Sequence, residues 1–215
     1  MTVIMLNIVE QLKAHLPYDC FSDTEVFNLI PGSDHRRYGL MKRAFAKEDL
    51  LSLRRGFYCL AEKHRRDPLN LFYVAQRIEG PSYVSFESAL SYHGWIPEAV
   101  YTVTSASAKR SKQFKTPLGI FDYQHISCEP FLTGVQMIRE GSVVYWMAEP
   151  WKALADYLFV HKENWKSLHP LIESLRIDKD CLYQNFDAKK LEEIEVAYHN
   201  KRISKFIRGI MKELL

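Results

Sequence analysis

Residues 34–61 read DHRRYGLMKRAFAKEDLLSLRRGFYCLA, and the fold turns on how this stretch divides. Its first half has a helical period. Tyr38, Met41 and Phe45 fall on one side, with Ala44 at the edge. Arg36, Arg43 and Lys47 fall on the other side as a cationic stripe, beside His35 and Lys42. Gly39 lies next to that stripe. A glycine there costs a helix roughly 1 kcal/mol against alanine, and its return is close approach to a phosphate backbone. The second half alternates. Leu51 and Leu53 stand against Ser52 and Arg54, Arg54-Arg55-Gly56 makes a turn, and Phe57-Tyr58-Cys59-Leu60 returns. A basic helix followed by a basic-tipped hairpin is what a winged helix-turn-helix requires: the helix enters the major groove and the wing reaches the adjacent backbone or minor groove. The candidate DNA-binding residues are therefore His35, Arg36, Gly39, Lys42, Arg43 and Lys47 from the helix, with Arg54 and Arg55 from the wing. The competing reading is a solvated charged face beside a structural hairpin.

The preceding residues complete the module. Ile8, Leu12 and Leu16, with Ile4, Leu6 and Val9, predict a first helix over residues 4–16, stopped by Pro17. Ser22 and Glu25 have the spacing of a capping box and predict a second helix to about Ile30. Pro31-Gly32 turns the chain into the basic helix. Residues 61–68 contain EKHRRDP and read as a polar link whose His64, Arg65 and Arg66 extend the basic surface.

A second unit follows. A helix over residues 69–78, a short strand at 82–84, a helix over 86–93, a strand at 100–104, a strand–turn–strand over 114–126 with its turn at Pro117-Leu118-Gly119, and a strand pair at 135–138 and 143–147 lead into a helical C-terminal part from Pro150. Those last helices are expected at 151–160, 168–175, 188–198 and 203–214. The fold class is α+β: a winged helix-turn-helix over residues 1–66, then residues 67–215 as a mixed α/β domain with a mostly antiparallel sheet and C-terminal helices.

Composition narrows the function. The 215 residues carry a net charge of +3, yet residues 34–66 alone hold ten Lys or Arg against four Asp or Glu. Concentrated positive charge favours polyanions through counterion release. No run approaches the ~20 apolar residues of a membrane span, and the first residues lack the pattern of a signal peptide. Cys20, Cys59, Cys128 and Cys181 have no paired ligand spacing and read as thiols of a reducing, cytoplasmic compartment.

Catalytic chemistry finds little footing. Glu87, Glu98 and Asp122 have no nuclease spacing. Ser85, Ser88 and His93 lack a nucleophile-elbow context. The histidines form no zinc pattern. The expectation is a protein without catalytic residues, metal or cofactor. Lys109, Arg110, Lys112 and Lys115 form a second basic run, a candidate nucleic-acid or antitoxin surface against the alternative of a solvated hairpin. Lys201, Arg202, Lys205 and Arg208 lie on the last helix, whose Ile203, Phe206, Ile207 and Ile210 are expected to face inward.

The segments SYVSFESALSYHGWIPE, VYTVTSASAKR and FKTPLGIFDYQHI, with the N-terminal helices and the RRGFYCL wing, resemble the AbiEi family of antitoxins, the regulator halves of AbiE-type (type IV) toxin–antitoxin systems. The resemblance runs over roughly residues 7–197. It implies an N-terminal winged helix joined to a C-terminal α/β domain. It implies repression of the protein's own operon through promoter inverted repeats in double-stranded DNA. It also implies neutralisation of a nucleotidyltransferase-type toxin without a stable complex. The alternative is a winged-helix transcription regulator whose C-terminal domain binds a small ligand or a protein partner, without antitoxin activity.

Overall fold

The computed structural model describes residues 7–215. Ile4 and Leu6 of the expected first helix lie outside them. Helix α1 (Ile8–His15) starts at Asn7, whose side chain accepts from the Glu10 amide at 2.9 Å while Glu10 accepts from the Asn7 amide at 2.8 Å. Strand β1 (Cys20–Ser22), which the sequence reading did not anticipate, leads into α2 (Asp23–Leu29). The capping box at Ser22 and Glu25 is present. Such caps contribute about 1 kcal/mol each by satisfying orphan amides of the first turn. Ser33 caps α3 (Asp34–Ala46). The hairpin follows as β2 (Leu50–Arg54) and β3 (Phe57–Leu60), with Gly56 at φ +74° in the turn. Only glycine adopts that backbone without steric cost.

The strands form an antiparallel sheet in the order β1-β3-β2. Ile8, Leu12, Val26, Ile30, Met41, Ala44, Leu50 and Leu60 bury against one another beneath it. Tyr38 departs from the apolar side expected for it: it is exposed and meets Phe27 edge to face at 5.5 Å.

The 3-10 turn Glu62–His64 leads to α4 (Leu71–Ile78). The second sheet has the order β6-β7-β5-β4-β9-β8. Its strands are β4 (Ser82–Val84), β5 (Val103–Ser107), β6 (Lys112–Thr116), β7 (Gly119–His125), β8 (Val135–Glu140) and β9 (Val143–Ala148). The β4–β9 and β5–β7 pairs are parallel and the others antiparallel, so the sheet is mixed and mostly antiparallel. Strand β5 begins three residues later than the sequence suggests, and Tyr101, expected within it, is exposed. Helix α5 (Phe86–Tyr92) precedes β5. The chain ends in α6 (Pro150–His161), α7 (His169–Leu175), α8 (Lys179–Gln184), α9 (Ala188–Tyr198) and α10 (Lys201–Leu214). Helices α5, α6, α9 and α10 bury the largest apolar core with the sheet, and Ile203, Phe206, Ile207 and Ile210 all face into it. Helix α10 packs so closely that a Cβ on Gly209 would lie 1.9 Å from the Lys166 carbonyl oxygen. Among the described residues, no helix is long and apolar enough to cross a membrane.

A further apolar cluster crosses the boundary drawn at Arg66. Cys20, Leu53, Phe57 and Cys59 of the first sheet pack with Val74, Ala75 and Ile78 of α4, and with Val103, Phe121 and Tyr123 of the second sheet. The β2–β3 ladder slips by one residue between Ser52 and Arg54, and Leu53 at the slip joins this cluster. The Tyr123 hydroxyl donates to the Ala75 carbonyl at 2.6 Å.

Candidate nucleic-acid interface

Met41 and Ala44 fix the rotation of α3 by burying one side of it. The opposite side then carries His35, Arg36, Lys42, Arg43 and Lys47, all exposed. Arg55 is exposed in the hairpin turn. Among the described residues, Arg36, Lys42, Arg43, Lys47 and Arg55 make no ion pair. Arg37, on the same helix, is by contrast tied to Asp34 at 2.8 Å and to the Ile30 carbonyl at 2.7 Å, over the Phe27 ring. Gly39 meets no internal constraint. An added Cβ would find only Arg43 Nη1, at 3.8 Å, so packing within the chain does not require glycine there.

Arg54 differs from the other candidates. Its Nε donates to the Ile78 carbonyl at 2.6 Å, its Nη1 to the Arg55 carbonyl at 3.0 Å, and its guanidinium lies 5.7 Å from the centre of the Phe57 ring. It anchors the hairpin to the end of α4. The polar link is also committed internally. Lys63 and His64 both reach Asp49, at 2.9 and 2.7 Å. Arg65 donates to the Leu60 carbonyl at 2.9 Å. Arg66 pairs with the buried Asp19 at 2.5 Å and caps the Leu16 carbonyl. The extension of the basic surface expected through His64, Arg65 and Arg66 is therefore a set of intramolecular clasps.

Strand β6 touches β2, which brings the second basic run beside the hairpin. There Glu79, distant in sequence, gathers Lys109 at 3.1 Å and Lys112 at 3.4 Å. Burial pushes the Glu79 carboxyl up, but the two lysines outweigh it and hold it below its ordinary range. Arg110 and Lys115 are exposed and make no ion pair among the described residues.

Most of the groups weighed for catalysis have structural partners, Glu87 excepted among the described residues. Glu98 pairs with Arg176, Asp122 accepts from Gln124 at 2.7 Å, Ser88 Oγ donates to the Thr102 carbonyl at 3.1 Å, and His93 meets the Ala148 carbonyl at 3.0 Å. Burial holds the His93 imidazole below its usual pKa. His93 also lines a cleft of about 440 Å³ with Trp95, Glu149, Trp151 and Lys190.

Sequence reasoning missed one constellation altogether. Lys152 and Asp156, one helical turn apart on α6, form an ion pair at 2.7 Å with both side chains fully buried. Ser85 Oγ donates to Asp156 at 2.6 Å, Tyr83 at 3.1 Å, and Tyr198 joins from α9. Lys152 also donates to the Tyr198 hydroxyl at 3.0 Å. Burial, then the Asp156 charge, holds the Tyr83 and Tyr198 phenols well above their ordinary pKa. An i,i+4 Lys–Asp pair reads in sequence as a surface pair, and only the apolar residues around it in α6 hint otherwise. No protein-family model matches the chain, and no curated protein matches it.

Proposed function

We propose that the chain is a DNA-binding transcription regulator of the AbiEi antitoxin type, with residues 7–66 acting as a winged helix-turn-helix. The element order α1-β1-α2-α3-β2-β3 and the strand order β1-β3-β2 are the arrangement such a module requires. In this reading α3 enters the major groove and the β2–β3 turn is the wing tip. The observation that carries the proposal is the division of labour among the cations. Arg37, Arg54, Lys63, Arg65 and Arg66 are bound within the chain, whereas Arg36, Lys42, Arg43, Lys47 and Arg55 stand exposed and, among the described residues, have no carboxylate partner. Exposed, unpartnered arginines on a helix face retain their full donor capacity for phosphates and guanine edges.

The target is the promoter region of the protein's own operon, and the antitoxin role counters a nucleotidyltransferase-type toxin from the second unit. The resemblance in residues 82–126 supports that part. The deciding experiment is a gel-shift titration of the purified chain on DNA from upstream of its gene, against an unrelated duplex of equal length. Binding to the promoter with no preference over the control would overturn the regulator reading. A second reading keeps the regulator and gives the second unit a small ligand. The cleft at His93, Trp95 and Trp151 favours it, since its volume of about 440 Å³ lies within the range of small-molecule sites.

A further inference from the structure

Cys20 and Cys59 face each other across β1 and β3. The ladder defines what kind of pair they are. The Leu60 amide donates to the Asp19 carbonyl at 2.9 Å, and the Asp23 amide to the Gly56 carbonyl at 3.0 Å. Both are partners in the same register as Cys20 and Cys59, one and three positions away. Hydrogen-bonded and non-hydrogen-bonded pairs alternate along an antiparallel ladder, so Cys20 and Cys59 occupy a non-hydrogen-bonded pair. Their Cα atoms there stand about 4.5 Å apart with the side chains on one face. A disulfide accepts Cα separations of about 4.4–6.8 Å. Both cysteines are free thiols and both are buried.

We propose that Cys20 and Cys59 are a reversible dithiol–disulfide pair, oxidised by peroxide, that fastens β1 to β3 around the segment carrying α2, α3 and the hairpin. The surroundings suit that chemistry. The hydrogen bond from Cys20, helped by the Arg65 charge against the cost of burial, holds the Cys59 thiol below its ordinary range. The same thiol–thiol hydrogen bond, then burial, pushes Cys20 far up. Asp19 works against Arg65 at both sulfurs. One member of the pair is thus poised as the attacking thiolate and the other as the resolving thiol. A cleft of about 610 Å³, lined by Tyr18, Asp19, Cys20, Arg66 and Tyr73, reaches the Cys20 side of the pair, and Cys59 is fully buried.

The Cys59 thiolate attacks one peroxide oxygen. An S–O bond forms, the O–O bond breaks, and the departing hydroxide takes a proton to become water. The Cys20 sulfur then attacks the sulfenic sulfur. The S–S bond forms, the S–O bond breaks, and the leaving hydroxide removes the Cys20 proton as a second water. Two thiols and one hydrogen peroxide give one disulfide and two waters.

The test uses the folded full-length chain treated with hydrogen peroxide, then unfolded for thiol titration and non-reducing peptide mapping. Of the four thiols, two should be lost and two remain. The peptide containing Cys20 should be joined to that containing Cys59. A Cys128→Ala/Cys181→Ala variant should retain the reaction, and Cys20→Ala or Cys59→Ala should abolish it. The thermal midpoint of the oxidised chain should rise by several degrees and return with dithiothreitol. Persistence of all four thiols in the folded wild type, a link involving Cys128 or Cys181, or over-oxidation of a single cysteine in place of a link would each overturn the proposal. The wild type and the Cys128/Cys181 variant decide the matter even where a Cys59 substitution fails to fold.

Discussion

Glu25, in the first turn of α2, receives Arg77 of α4 on both carboxylate oxygens, at 3.0 and 3.2 Å. The same guanidinium lies 4.9 Å from the centre of the Tyr18 ring and 5.8 Å from that of Phe57. Tyr18 and Ser22 add hydrogen bonds to Glu25 at 2.6 Å each. Burial alone raises a carboxyl pKa, but here the donors dominate and hold Glu25 at about 2. The folded value lies below the unfolded value of about 4.3. The linked stability is therefore complete above the unfolded value and is lost as pH falls from there through about 2. Glu25→Gln should cost about 2 kcal/mol at neutral pH, after discounting for partial exposure, and should flatten the acid limb. Urea titrations of both proteins at neutral pH and near pH 3 check this; parallel curves at the two pH values would refute it.

Arg36→Ala, Arg43→Ala and Arg55→Ala should each weaken promoter binding. Loss of a phosphate contact lowers affinity on every sequence and reduces the salt slope by about 0.9 per contact. Loss of a base contact costs about 1–3 kcal/mol and relaxes one position. Arg54→Ala should behave differently. It should lower the melting temperature while the folded molecules bind nearly as the wild type does. Gel shifts across a salt series, paired with thermal melts, separate the two classes.

Gly39→Ala should uncouple stability from binding. The added methyl meets only Arg43 Nη1 at 3.8 Å, so the helix should gain up to about 1 kcal/mol. If α3 lies against DNA at Gly39, affinity should fall several-fold at the same time. A more stable protein with unchanged affinity would move the DNA away from this part of α3.

Lys152→Met or Asp156→Leu alone should destabilise the protein by about 3–5 kcal/mol, because each leaves a buried charge without its partner. Replacing both should recover most of that loss. Double-mutant denaturation curves measure the coupling, and additive losses would contradict it.

On the proposed function, Arg36→Ala and Arg43→Ala should abolish repression yet leave toxin rescue largely intact when the protein is supplied from an unrelated promoter. Substitutions at Arg110 and Lys115 should affect rescue more than repression. A growth assay with the toxin, run beside a promoter reporter, reads both. Loss of rescue by Arg36 and Arg43 variants at normal protein levels would mean that one surface serves both activities.

Helix α3, the hairpin and the Ser22–Glu25 cap were legible because each is encoded locally, by period, alternation or fixed spacing. Strand β1 was not: Cys20-Phe21-Ser22 is too short to carry a pattern, and pairing with β3 makes it a strand. Strand β5 was displaced because VYTVT has strong β character, while Ser105-Ala106-Ser107 has the small buried side chains that a central position between β4 and β7 demands. The short helix α8 was missed for lack of a full apolar stripe. At the candidate site, the sequence marks which residues are cationic but not which are already engaged. Arg54 and Arg55 are adjacent and chemically identical, yet the Ile78 carbonyl holds one and leaves the other exposed. Likewise Glu79 commits Lys109 and Lys112 from a position far outside their own run.

The shared cluster around α4 bears on how the molecule can be cut. A fragment ending at Arg66 would strip Leu53, Phe57 and the two sheet cysteines of their cover from Val74, Ala75 and Ile78. It would also leave Glu25 without Arg77. Such a piece should be prone to self-association through a newly wetted apolar face. One that continues through Ile78 keeps the helix as a lid on that face, and is the better starting point for crystallising the N-terminal unit on an oligonucleotide.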